Sequence, residues 1–313
     1  MTGSVRGLVD DYIGLRRGLG YRPLTQERAL RAFARYLDGH EGPIPLETTL
    51  DWATSTASSD PCNPARRLAT VRGFLRHLSA LDGATEVPAA GLLGSTGHRK
   101  PPHVYSDGEI TDLMAAAGQL APVGGLRPRC YATLFGLLAC TGLRISEALA
   151  LSCGDVDLDG GVITVRAGKR GLTRLVPLHP SALEPLREFA AERETRHGRP
   201  GEEDAFFRTE DSERLSYNTA FHAFSVTRRR LGWDADGRTR VPRVHDLRHR
   251  MVVRRIQTWH AEGVDVDAKM AALATYLGHV EVRDVYWYLS AVPELMNVVA
   301  ERFEAFSGPA GAT

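Results

Sequence analysis

The sequence predicts a mainly α-helical protein with one small β-sheet or hairpin, divided into two domains. Three observations predict it. Apolar residues recur at helical spacing along most of the chain, and one stretch of alternating β-branched residues flanks a glycine-bearing turn. Residues 91–102, G-L-L-G-S-T-G-H-R-K-P-P, form a break dense in Gly and Pro. A chain of 313 residues also exceeds what one ordinary core supports.

With 43% hydrophobic and 25% charged residues, the composition is that of a soluble globular protein. A net charge of +1 excludes a strongly basic chain, so any nucleic-acid role must rest on local clusters. Of the 39 basic residues only Lys100, Lys169 and Lys269 are lysine, which singles each of them out. Cys62, Cys130, Cys140 and Cys153 show no C-x-x-C spacing and fit a reducing cytoplasm better than a disulfide framework or a zinc site. The N-terminus has no apolar signal core. The longest apolar run, near residues 131–143, is too short to span a bilayer, so the expectation is a cytoplasmic protein without a membrane partner.

Residues 5–81 are helical in pattern throughout. Leu8, Tyr12 and Leu15, then Leu30, Phe33, Ala34 and Leu37, are each spaced for one buried face, with turns near residues 18–23 and 39–45. The best-defined helix starts with Asn63 as cap and Pro64 in its first turn. It carries Leu68, Val71, Phe74, Leu75 and Leu78 on one side, with Arg66, Arg72, Arg76 and His77 largely on the other. That basic face suits DNA phosphates, and equally a solvated helix surface. Residues 1–104 hold 13 basic and 10 acidic residues against 26 and 28 in the remainder, a mild asymmetry in favour of the helical part as the DNA clamp. The domains are therefore placed at 1–90 and 105–313, joined by a linker over 91–104 that contains Arg99 and Lys100.

The second domain opens with Ser106 and Glu109 as a capping box. A buried helix over residues 131–140 stops at Thr141 and Gly142, and Arg144 begins the next helix, R-I-S-E-A-L-A-L. A cation at a buried corner needs an anionic partner, and Glu147, one turn on, can pair with it or orient it. The hairpin follows: V-I-T-V, a turn through Gly168, Lys169, Arg170 and Gly171, then R-L-V-P-L. Lys169 at its tip can give up a proton, as a guanidinium cannot. Helices over 181–196 and 216–231 come next, the second ending in Arg228, Arg229 and Arg230. H-D-L-R-H then starts a helix in which His245 and Arg248 share a face. Its H-D-x-x-H spacing also allows a zinc site with His260, Glu262 or His279 as third ligand. Near the end, Gly278 stops a short helix, His279 occupies the corner, and a second helix carries Tyr286 and Tyr288.

With Arg144, Lys169, His245, Arg248, His279 and Tyr288 in this order, the sequence resembles the tyrosine recombinases of the phage-integrase family over roughly residues 105–299. T-G-L-R-I-S-E-A-L is similar to the family's first arginine box and G-K-R-G-L-T-R-L-V-P-L to its lysine hairpin. H-D-L-R-H is similar to its H-x-x-R box, and L-G-H with a tyrosine nine residues after His279 to its terminal box. T-Y-L-G-H-V followed by Y-W-Y-L resembles a transposon-encoded branch of the family. The resemblance implies a two-domain DNA clamp, with residues 1–90 as core-binding domain and 105–313 as catalytic domain.

It further implies site-specific cutting and rejoining of DNA through a covalent 3′-phosphotyrosine, without cofactor, metal or ATP. Tyr288 is then the nucleophile by family spacing, with Tyr286 its competitor. Arg144 and Arg248 contact the phosphate, His245 is the base, His279 an extra donor and Lys169 the general acid, while Glu147 orients Arg144. Arg66, Arg72, Arg76, Arg99, Lys100 and Arg170 are the expected DNA contacts. Double-stranded target sites and a homo-tetramer on synapsed DNA are the implied partners. A helix after Pro293, with Leu295, Val298, Val299 and Phe306 on one side, is expected to dock on a neighbour or fold back on its own domain. A type IB topoisomerase and a non-cutting DNA-binding regulator on the same fold remain the alternatives.

Overall fold

The computed structural model describes residues 4–21, 24–58, 60–97, 101–166, 173–234, 241–278 and 285–286. The chain separates into two compact units, Met1–Arg99 and Lys100–Thr313.

The first unit is built from helices α1 (Val5–Gly18), α2 (Leu24–Tyr36), α3 (Leu46–Thr54) and α4 (Asn63–Asp82). Its core gathers Val9, Leu30, Phe33, Trp52, Val71 and Phe74. On α1 the buried stripe is Val5, Val9 and Ile13 rather than Leu8, Tyr12 and Leu15; Leu8 and Tyr12 pack at the core's edge and Leu15 is 51% exposed. Two apolar stripes of equal period lie side by side on this helix, and periodicity cannot say which one faces the neighbours. Asn63 is the first helical residue of α4, not its cap. Asp60 accepts the Cys62 amide at 2.9 Å just before the helix, Pro64 fills the first turn as expected, and Gly83 ends the helix at φ 66°. Within the expected linker, Leu93 packs against the first unit's core, and residues 89–96 line one groove with residues of α4.

The second unit contains α5 (Asp107–Ala117), α6 (Leu126–Thr141), α7 (Ile145–Ala150), a 3-10 turn (Cys153–Asp155), β1 (Val156–Asp157), β2 (Val162–Val165) and β3 (Arg174–Pro177). These are followed by α8 (Pro180–His197), α9 (Tyr217–Arg230), α10 (Asp246–Ala261) and α11 (Val266–Leu277). The three strands form an antiparallel sheet in the order β1-β2-β3, with Ile163 paired to Val176 and both fully buried. The two-residue β1 is an addition to the expected hairpin.

The Ser106–Glu109 capping box is formed, with both hydrogen bonds in place at 3.1 and 2.8 Å. Helix α6 starts five residues before the expected Tyr131, because the Glu210 carboxylate accepts the amides of Leu126 and Arg127 and so caps it from 84 residues away. Around α6 a core of Leu113, Leu134, Phe135, Phe189, Phe207 and Phe224 assembles, while α10 and α11 pack on each other through Val252, Val253, Ile256, Met270 and Leu273. No helix among the described residues is long and apolar enough to cross a membrane.

Candidate active site

The site forms where three chain reversals meet. Helix α6 ends at Gly142 (φ 66°), α10 begins after His245, and α11 ends at Gly278 (φ 66°). Both glycines adopt the left-handed conformation that lets a helix stop abruptly, which leaves backbone carbonyls pointing into one space.

Three guanidinium groups converge on those carbonyls. Arg248, 2% exposed, donates from Nη1 to the Gly142 carbonyl at 2.7 Å and from Nη2 to the Leu277 carbonyl at 2.7 Å. Arg144 donates to Leu277 at 3.4 Å and to Gly278 at 3.2 Å. The two arginines that sequence reasoning singled out therefore share one carbonyl oxygen. Arg174, at the start of β3, donates from Nε to the Tyr276 carbonyl at 2.8 Å. Cations suit this place because the C-terminal end of a helix carries partial negative charge.

Glu147 is the counter-charge. Its carboxylate accepts the Arg144 amide at 2.9 Å and Arg144 Nη1 at 2.8 Å, and it takes Arg174 as a fork at 2.7 and 3.2 Å. Burial alone would raise this carboxyl, but the Arg174 and Arg144 hydrogen bonds outweigh it and hold the pKa down at about 2. Three guanidiniums against this one carboxylate leave a cluster with excess positive charge. Its outermost member is Arg144, whose side chain is 26% exposed against 10% for Arg174. Such a cluster is suited to an anion, and paired guanidiniums match the oxygens of a phosphate diester.

His245 stands at the rim, at the cap position of α10, open to solvent on one side and crowded by protein on the other. Desolvation and the neighbouring Arg248 charge lower its pKa to about 4, so it is neutral at physiological pH. Water on its open side screens part of this effect. Its ring meets the buried His249 edge to face at 4.8 Å. Asp246, fully buried, holds the approach to α10 by accepting the Arg243 amide and guanidinium at 2.9 Å.

The zinc arrangement loses two of its candidate ligands. His260 and Glu262 lie at the far end of α10, about 22 Å from His245 at 1.5 Å per residue. Among the described residues no group of three His, Cys, Asp or Glu side chains is placed to hold a metal ion.

Tyr276 and Tyr286 are both unsuited to ionise. Burial pushes the Tyr276 phenol up to about 12. The exposed Tyr286 donates its hydroxyl to Asp267 at 3.0 Å, and this hydrogen bond to a carboxylate raises its pKa. Asp267 sits in the first turn of α11, about 15 Å from the arginine cluster at the other end of that helix. Lys169, Arg170, His279 and Tyr288, like the helix expected after Pro293, lie outside the described residues, as do Arg99 and Lys100.

In the first unit, Arg66 and Arg76 are exposed, with Arg66 paired to Asp60. Arg72 is only half-exposed, since its Nε donates to the Pro88 carbonyl at 2.8 Å; the basic face is thus partly committed to its own fold.

Arg174 is the site residue that sequence reasoning missed. A signal existed: in R-L-V-P-L, Arg174 shares a strand face with the buried Val176, while Leu175 between them is 64% exposed. An arginine on the buried face of a strand demands a partner.

Residues 106–294 match the model of the phage integrase family. The chain belongs to that family. It is also 36% identical to y4rB, a putative integrase/recombinase of Sinorhizobium fredii, over 305 residues that cover 96% of this chain and 97% of the relative. Tyrosine recombinase XerD of Bifidobacterium longum is 28% identical over 95% of this chain and 96% of its own length. The fold is that of the Tn1549 transposon integrase, solved with transposon right end DNA (TM-score 0.68, 15% identity, covering 98% of this chain and 100% of that one). A lambda integrase tetramer on a Holliday junction matches at TM-score 0.59 and 17% identity, over 90% and 78% of the two chains. This recombinase is therefore an enzyme that cuts and rejoins DNA strands through the covalent phosphotyrosine intermediate that characterises the family.

Proposed function

We propose that the arginine cluster at the end of α11 is the pocket for the scissile phosphate, and that Tyr288 attacks it. The observation that carries this reading is the convergence of Arg144 and Arg248 on the Leu277 carbonyl, one residue before Gly278. Phosphoryl transfer needs positioning and stabilisation of charge on the non-bridging oxygens, which paired guanidiniums supply.

The Tyr288 oxygen bonds to phosphorus as the bond to the 5′-oxygen breaks. His245, neutral at working pH, takes the phenol proton; Lys169 gives one to the leaving 5′-oxygen, which departs as the hydroxyl, and His279 donates to a non-bridging oxygen. Rejoining reverses these steps, and the phosphodiester energy is kept in the protein linkage, so neither ATP nor a metal enters. The hydrogen bond from Tyr286 to Asp267 supports Tyr288 over Tyr286, because it holds the competitor at the wrong end of α11.

Arg66, Arg72, Arg76, Arg99, Lys100 and Arg170 are the proposed phosphate contacts along the duplex, made in the cytoplasm. Two duplex sites are synapsed by four protomers, a state supported by the tetrameric lambda integrase, and the helix after Pro293 joins neighbours. Integration, excision or transposition of a mobile element is the proposed use.

The test is incubation with a nicked suicide duplex that traps the covalent adduct. Tyr286→Phe is expected to form it and Tyr288→Phe to form none. The reverse pattern would reassign the nucleophile, and no adduct with the unmodified protein on a verified target would overturn the reading.

A further inference from the structure

We propose that Arg174 is a positioning residue for cleavage: it fixes the Arg144 guanidinium through Glu147 and fixes the end of α11 through Tyr276. The inference rests on the phosphate pocket proposed above and adds a residue to its support.

Three elements meet on this one side chain. Arg174 opens β3, five positions after Lys169 in the sequence, and its fork holds Glu147 on α7 at 2.7 and 3.2 Å. Its Nε holds the Tyr276 carbonyl on α11 at 2.8 Å, two residues before Gly278. Glu147 in turn takes Arg144 through both backbone amide and guanidinium, at 2.9 and 2.8 Å.

The geometry separates the duties of Arg174 and Arg144. Arg174, nine-tenths buried, is spent wholly on protein partners, whereas Arg144 retains open surface for a ligand. A carboxylate held by a single guanidinium can turn with it. Held also by a fork from Arg174, which bonds both carboxylate oxygens, Glu147 has one orientation, and Arg144 inherits it. Gly278 is shaped by the same contact: a Cβ there would lie 2.9 Å from Arg174 Nη1, in addition to the strain of its positive φ. Arg174 therefore ties the start of β3, the Glu147–Arg144 pair on α7 and the end of α11 together.

The experiment compares single-turnover cleavage of two suicide duplexes, one with the natural scissile phosphate and one with a methylphosphonate there. The methyl group replaces a charged non-bridging oxygen and so removes the charge that Arg144 must meet. Rates are taken at saturating DNA and normalised to binding-competent protein. Arg174→Gln is expected to cleave the phosphate roughly 100-fold more slowly, the scale of a misplaced catalytic group, with unchanged DNA affinity. On the methylphosphonate its defect is expected to shrink by at least about tenfold, as a group acting through Arg144 requires. Arg174→Lys, which keeps the charge and loses the fork, should show the same pattern and serves if the glutamine variant does not fold. Equal defects on both substrates, or a loss confined to DNA affinity, would overturn the role of Arg174. Failure of the unmodified protein to cleave a verified target would instead overturn the pocket itself.

Discussion

Replacing Glu147 by Gln removes one negative charge and preserves the side chain's shape, so its effect on stability isolates the electrostatics of the arginine cluster. The carboxyl is 8% exposed and its pKa falls from 4.5 to about 2 on folding. That depression corresponds to a stabilisation of about 3 kcal/mol at pH 7. Because the folded pKa is the lower one, the stabilisation is complete above the unfolded value and is lost as pH falls through 4.5 towards 2. By pH 3 about 2 of the 3 kcal/mol should be gone. Glutamine offers one acceptor oxygen to two guanidiniums and turns an amide donor towards them, leaving the buried Arg174 poorly paired. Urea unfolding of the whole chain at pH 7 should therefore show Glu147→Gln about 3 kcal/mol less stable in the transition of the second unit. At pH 3 the gap should narrow to about 1 kcal/mol. A variant as stable as its parent at pH 7, or a gap that does not close in acid, would refute the argument that Glu147 is held ionised by its two arginines.

Arg248→Ala leaves the Gly142 carbonyl without its guanidinium donor and the Leu277 carbonyl with only the longer bond from Arg144, and should cost about 3 kcal/mol in denaturant unfolding while abolishing the covalent adduct; an adduct at parental rate would remove Arg248 from the pocket. The acid limb of cleavage should fall below the ordinary histidine value, since a lowered pKa keeps His245 in its proton-accepting form to lower pH; a single-turnover profile with its acid inflection at or above 6.5 would contradict this. Glu210→Ala, far from the chemistry, should destabilise the second unit by about 1 kcal/mol through loss of the α6 cap and leave the cleavage rate of folded protein unchanged, as melting and adduct assays on one preparation would show.

Much of the fold was legible because its signals are local. The alternating V-I-T-V strand, the Ser106 and Glu109 capping box and the glycines that end α6 and α11 each express themselves within a few residues. Where the expectation failed, the deciding partner was remote in sequence. The inward stripe of α1 depends on which face α2 and α4 cover, and the early start of α6 depends on Glu210.

The same division runs through the site. By itself the sequence determined the order of Arg144, Lys169, His245, Arg248, His279 and Tyr288, and with it the family to which the chain belongs, because residue types at set spacings suffice for that. Only the tertiary structure decided that Arg144 and Arg248 share the Leu277 carbonyl, that Tyr286 is engaged by Asp267, and that Arg174 shares Glu147 with Arg144. The physical reason is that a buried charge is tolerated only where distant backbone and side-chain groups compensate it, and those groups come together only when the helices pack.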